Sequence, residues 1–116
     1  MIKHISQGKS SLGIEANIAA LLSYLLGFVT GIIFFVLERE NKFVKFHALQ
    51  SIITFGALFI FGVIVRFLPF IGFIIITLLG IVEIILWIIL MIKAYQGEYF
   101  KLPLAGELAL KKTLSK

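Results

Sequence analysis

Ala16-Asn-Ile-Ala-Ala-Leu-Leu-Ser-Tyr-Leu-Leu-Gly-Phe-Val-Thr-Gly-Ile-Ile-Phe-Phe-Val-Leu37 runs for 22 residues without a charged side chain. As one α-helix it would rise about 33 Å, enough for a hydrocarbon core of about 30 Å. Two more runs follow: Phe46–Val65 is uncharged for 20 residues, and Phe67–Ile92 runs for 26 with Glu83 its only charge. The runs are continuous in Ile, Leu and Phe and lack the alternation of barrel strands, so helices are expected. The sequence therefore reads as an all-α integral membrane protein, a single transmembrane domain over 1–116 with three transmembrane helices at about 16–37, 44–66 and 72–93 and a tail over 97–116.

Composition agrees. Of 116 residues 60% are hydrophobic and 15% charged, against roughly 45 to 50% and about 25% in soluble domains. That excess excludes an ordinary soluble fold and a disordered chain. The net charge of +5 comes from Lys and Arg that flank the apolar runs. Their expected partner is the lipid bilayer with its anionic surface, not nucleic acid. There is no Cys, hence no disulfide and no thiolate metal site. No Ser-x-x-Lys or His-Glu-x-x-His pattern occurs, and Gly27-Phe-Val-Thr-Gly31 lies inside an apolar run where it cannot cradle a phosphate. No enzyme, cofactor or metal is expected.

The segment Arg66-Phe-Leu-Pro-Phe-Ile-Gly72 predicts a tight hairpin between the second and third helices, because Pro69 disfavours helix at Leu68. The link Glu38-Arg-Glu-Asn-Lys42 is polar, with Asn41 a candidate N-cap. Lys93, Tyr95, Gly97 and Tyr99 mark the end of the third helix. Three spans would leave Lys3, Lys9 and Arg66 on one side and Arg39, Lys42, Lys45, Lys93, Lys101, Lys111, Lys112 and Lys116 on the other. Eight cations against three predict a multi-pass protein of the cell membrane with the N-terminus outside and the C-terminus cytoplasmic. The first 15 residues carry no cleavage-site pattern, so the first helix is expected to be retained.

Two stretches carry a family likeness: Tyr24-Leu-Leu-Gly-Phe-Val-Thr-Gly-Ile-Ile-Phe leading into Glu40-Asn-Lys-Phe-Val-Lys-Phe-His-Ala-Leu-Gln-Ser51, and Lys93-Ala-Tyr-Gln-Gly-Glu-Tyr-Phe-Lys-Leu-Pro-Leu-Ala-Gly-Glu107. Over nearly its whole length the chain resembles the small prokaryotic membrane proteins grouped with the chloroplast protein-import component of the inner-envelope translocon. The most specific part is Asn41, Lys42, Phe43, Lys45, Phe46, His47, Gln50 and Ser51 at the entrance of the second helix. The resemblance implies an integral membrane protein. The plastid proteins are understood to have four spans and a targeting extension, where three spans and no extension are expected here.

Within the spans, Ala19, Ser23, Gly27 and Gly31 recur every four residues, a small-residue stripe for helix packing. It suits either a homo-oligomer or, with greater weight, contact with the chain's own helices. Glu83, costly at mid-bilayer, shares a helical face with Thr77, Gly80 and Trp87. It is expected to face Gly27, Thr30 or Thr54, either as a neutral hydrogen-bonded group or, in the sharper reading, as a proton or cation site. His47 has no second ligand at metal-like spacing and is expected to donate an interfacial hydrogen bond. Phe43, Phe46, Tyr95, Tyr99 and Phe100 read as an aromatic belt, and Leu104–Lys116 as a short interfacial helix. The functional expectation is a non-enzymatic subunit that packs with itself or other membrane proteins, in translocation or assembly. The alternative is a small oligomeric channel or transporter using Glu83.

Overall fold

The computed structural model describes residues 5–114. Among them lie five helices and no strand: α1 Ala16–Leu25, α2 Phe28–Leu37, α3 Lys42–Val65, α4 Ile71–Tyr95 and α5 Ala105–Leu114. Lys3 and Lys116, counted in the charge asymmetry, fall outside the described residues.

α3 begins where the sequence supplies a cap: the Asn41 side-chain oxygen accepts from the Val44 amide at 3.1 Å. At 24 and 25 residues, α3 and α4 are each long and apolar enough to cross a bilayer. Between them Arg66–Phe70 reverses the chain, and Gly72 lets α4 start tight against α3, since a Cβ there would lie 2.5 Å from the Val65 carbonyl oxygen.

The first apolar run is not a span. Its helix stops at Leu25, Gly27 takes a left-handed φ of +64°, and α2 restarts at Phe28. Each limb has 10 residues, about 15 Å, or half the hydrocarbon thickness. The limbs fold back on each other. The amide and hydroxyl of Ser11, before α1, donate to the carboxylate of Glu38, after α2. Two helices, not three, are thus long and apolar enough to cross, and α1–α2 is a hairpin that enters and leaves at one end of the bundle.

What permits a turn at that depth is satisfaction of the backbone it frees. The Trp87 indole N–H donates to the Tyr24 carbonyl at 2.7 Å, the Ser51 hydroxyl to the Gly27 carbonyl at 2.9 Å, and the Leu26 amide to the Thr30 hydroxyl at 3.1 Å. Irregular backbone is tolerated inside a membrane only where protein supplies such partners. Hydropathy sees the apolar residues and is blind to these bonds.

The hairpin also changes the topology. The Ile5 amide donates to Gln96 O at 2.8 Å and the Gln7 side chain to Gly97 O at 2.7 Å, so the segment before α1 and the end of α4 share one end of the bundle. Three spans would put the N-terminal and C-terminal segments at opposite ends of the bundle, whereas here the two segments meet at one end.

In cross-section α1 wedges between α3 and α4 at this near end, while α2 packs on α3 and α1 and, among the described residues, its backbone stays apart from that of α4. α5 runs antiparallel along the first turns of α3, with Gly106 beside Gln50 and the Lys42 ammonium donating to Thr113 O at 3.2 Å.

A Cβ at Gly31 would sit 3.0 Å from Ala48 O and 3.1 Å from the Ser51 side chain, whereas one at Gly56 would meet nothing within 4 Å. Gly31→Leu should lower stability in detergent by about 1–3 kcal/mol through overpacking. Gly56→Ala should be neutral or stabilising by up to about 1 kcal/mol, both read as thermal unfolding midpoints.

Candidate functional site

The motif at the α3 entrance builds a closed polar lattice. His47 Nε2 lies 2.8 Å from the Glu98 carbonyl, which can only accept, so Nε2 carries the proton. The Tyr24 hydroxyl, which accepts from Gln50, directs its own proton to Nδ1 at 2.6 Å. The Gln50 amide donates to the Tyr24 hydroxyl and to Phe100 O, each at 2.9 Å, while its oxygen accepts from the Leu102 amide at 2.8 Å. Tyr24, His47 and Gln50 are fully buried, and every polar atom named has a partner. The lattice ties α1, α3 and residues 98–102 together.

The surrounding rings are part of this core. Phe43 and Phe46 are buried at 1% and 0% exposure, with centroids 4.6 and 4.9 Å from His47. Of the expected aromatic belt only Tyr95 and Tyr99, at 39% and 38% exposure, reach outward to that degree. Lys45 lies over the Phe35 ring at 5.0 Å. The small-residue stripe does not form one ridge, because the helix breaks in its middle. Ala19 and Ser23 are buried in α1, Gly27 is the apex and Gly31 faces α3.

Two residues that sequence reasoning passed over anchor the same end. Asn17, fully buried, accepts from the Gln7 amide and donates to Ile5 O and Tyr95 O at 2.9 and 2.8 Å. Glu38, 1% exposed, accepts from the amides of Ser11, Glu40 and Asn41 and from the Ser11 hydroxyl. Burial pushes its carboxyl up, but these donors together outweigh that and hold it below the ordinary 4.5. The available signal was a Glu three residues before an N-cap Asn, which looks like a solvated loop charge.

Beyond the hairpin apex lies a cavity of ≈ 570 Å³, walled by Gly27 and Phe28 at the apex, Phe55 and Gly62 of α3, and Gly80 and Glu83 of α4, with Arg66 also on its lining. Glu83 thus shares a cavity with Gly27. Thr30 is spent on the apex, Thr54 is buried off the cavity with its hydroxyl unpartnered among the described residues, and Thr77 turns outward and bonds Phe73 O. No ion pair joins Glu83 to Arg66 among the described residues. The amino end of α2, positive by its peptide dipoles, borders the same space.

Two crossing helices, a half-depth hairpin satisfied by their side chains and a basic end define an α-helical membrane protein. Over residues 10–109 the chain matches the magnetosome magnetite crystal formation protein family, and it belongs to that family. It is similar to a UPF0132 membrane protein of Methanocaldococcus jannaschii, 51% identical over 105 residues that cover 90% of this chain and 94% of the relative. A UPF0132 membrane protein of Archaeoglobus fulgidus is 46% identical over 95 residues, 82% of this chain and 92% of its own. No solved structure matches. These relatives are prokaryotic membrane proteins whose own names carry no activity, and the tie to the plastid import component rests on motif likeness alone.

Because the Glu38 carboxyl is held below its ordinary value, it stabilises the fold above about pH 4.5, and that contribution is lost as pH falls through the lower, folded value. Glu38→Gln should cost about 1–3 kcal/mol near pH 7. The gap to the parent protein should close as pH is lowered toward 3, followed by thermal melts in detergent.

Proposed function

We propose that the chain is a non-enzymatic membrane subunit that offers the outer side of α4 to another membrane segment, its own copy or a different protein. The observation that carries this is the burial of α4. Of its 25 residues only Gly72, Leu90 and Ala94 are buried, all at its ends, leaving a long surface of Phe, Ile and Leu free. Association of such faces by close packing is the usual route to membrane assemblies. Participation in translocation or assembly is the finer reading that the motif likeness suggests. A second reading, Glu83 as an intramembrane proton or cation site, is favoured by its place on the cavity wall. Single cysteines at Ile81, Ile85 or Ile88, all on the free side of α4, should crosslink to a partner in native membranes. If they remain uncrosslinked, and liposomes show a proton flux that Glu83→Gln abolishes, the second reading replaces the first.

For orientation, we place the near end in the cytoplasm. Eight of the nine described Lys and Arg lie there, Lys9, Arg39, Lys42, Lys45, Lys93, Lys101, Lys111 and Lys112, against Arg66 at the far turn. Cysteines replacing Ser6 and Lys112 should both be labelled from the cytoplasmic side and one replacing Leu68 from the outside. Labelling of Ser6→Cys and Lys112→Cys from opposite sides would defeat the arrangement.

A further inference from the structure

The cavity beyond the apex has the dimensions and polarity of a lipid slot. Its wall runs from Phe55 on α3 to Arg66 just past the end of that helix, 12 residues, about 16 Å of rise, against about 15 Å for half of a 30 Å hydrocarbon core. It therefore occupies one leaflet, from mid-depth at the apex to the headgroup level at the far turn. Its width comes from Gly62 and Gly80, where an added Cβ would meet no atom within 4 Å. The lining is apolar apart from Glu83 deep on α4 and Arg66 at the far end. Arg66 is exposed and is the only described cation at that end.

We propose that the slot holds one hydrocarbon chain of an anionic phospholipid, whose phosphate is bound by Arg66. The commitment to an anionic lipid rests on charge complementarity at the far end and on the match between slot length and leaflet. Arg66 presents a guanidinium at headgroup level with no carboxylate paired to it among the described residues, and a guanidinium takes a phosphate through two parallel N–H donors. The separation of the α2 and α4 backbones leaves the slot open to the side, so a chain can enter from the leaflet without unfolding the bundle. This goes beyond the subunit proposal, since the slot faces inward between α3, α4 and the apex while the partner surface is the outer side of α4.

The molecule carries its own probe. Trp87, its single tryptophan, lines the deep part of the cavity. The full chain is reconstituted in vesicles of equal anionic and zwitterionic phospholipid, with bromine near the chain ends of one lipid or the other, and tryptophan fluorescence is read. Bromine on the anionic lipid should quench more than bromine on the zwitterionic one, with an apparent enrichment of roughly two- to fivefold, the size of one partly exposed ion pair. Arg66→Gln should abolish that preference while leaving quenching. Gly80→Leu, which fills the slot, should lower quenching by both lipids and remove the preference. Equal quenching by the two lipids in the parent protein would overturn the proposal, as would a preference that survives Arg66→Gln. Weak quenching by either lipid, together with crosslinking of Gly80→Cys between two copies, would put a second chain in the slot and also overturn it. Equal quenching in the parent protein overturns the proposal whether or not a variant folds.

Discussion

Everything in this fold depends on how the backbone at Tyr24–Gly27 is satisfied inside an apolar layer. A helix that turns back at mid-depth strands carbonyls and amides in a medium with no water, at several kcal/mol for each group left bare. Here Trp87 of α4, Ser51 of α3 and Thr30 of α2 reach the freed groups. Those three side chains set where α1 and α2 stand relative to the crossing helices. The same contacts fix the register of α3 against α2, with Gly31 seated on the Ala48 carbonyl and Ser51.

The apex and the near-end lattice are mechanically joined, because Tyr24 belongs to both. Its carbonyl accepts from Trp87 while its hydroxyl sits between His47 and Gln50. Through Gln50 and His47 the segment 98–102 is pinned, and that segment delivers α5 to the side of α3. Position 97 shows how tightly the parts meet: it takes φ +82°, and a Cβ there would fall 1.8 Å from Ile5 O, so only glycine lets the N-terminal segment cross. The motif residues carried over from family likeness are in this sense a structural joint, whose polar atoms are consumed in holding it.

Much of this was legible, in uneven measure. The crossing helices, the Pro69 turn and the Asn41 cap follow from patterns whose physics is local, a run of apolar side chains, a fixed φ, a side-chain acceptor at a helix start. The hairpin was not legible, because 22 uncharged residues satisfy the length criterion for a span whether or not the helix continues. The only local marks were Gly27 and Thr30, both ordinary in membrane helices. The expected separation of the two chain ends along the bundle went with it, since a parity count inherits any error in the number of crossings. Helical spacing groups Glu83 with Gly80 and Trp87, and all three line one cavity. Of the three candidates Gly27, Thr30 and Thr54 only Gly27 lines that cavity, because depth counting gives height along a helix and says nothing about rotation. Phe43 and Phe46 looked like belt residues since their cover, Tyr99 and the segment around it, returns from fifty residues away.

The two halves of the molecule are held by different physics. At the near end α1, α2, α3, α4 and α5 converge on the hydrogen-bonded Tyr24, His47 and Gln50 and the rings packed around them. Beyond the apex only α3 and α4 remain, with Phe67, Phe70 and Phe73 at 82%, 91% and 76% exposure. In water such a surface would drive aggregation, but lipid chains are as apolar as the side chains they touch, so burying it against protein gains little. Stability in the bilayer must then come from the polar end, where an unmade hydrogen bond is expensive. The far half is free to stand open around its cavity, at no cost so long as hydrocarbon fills the space the half-length hairpin leaves.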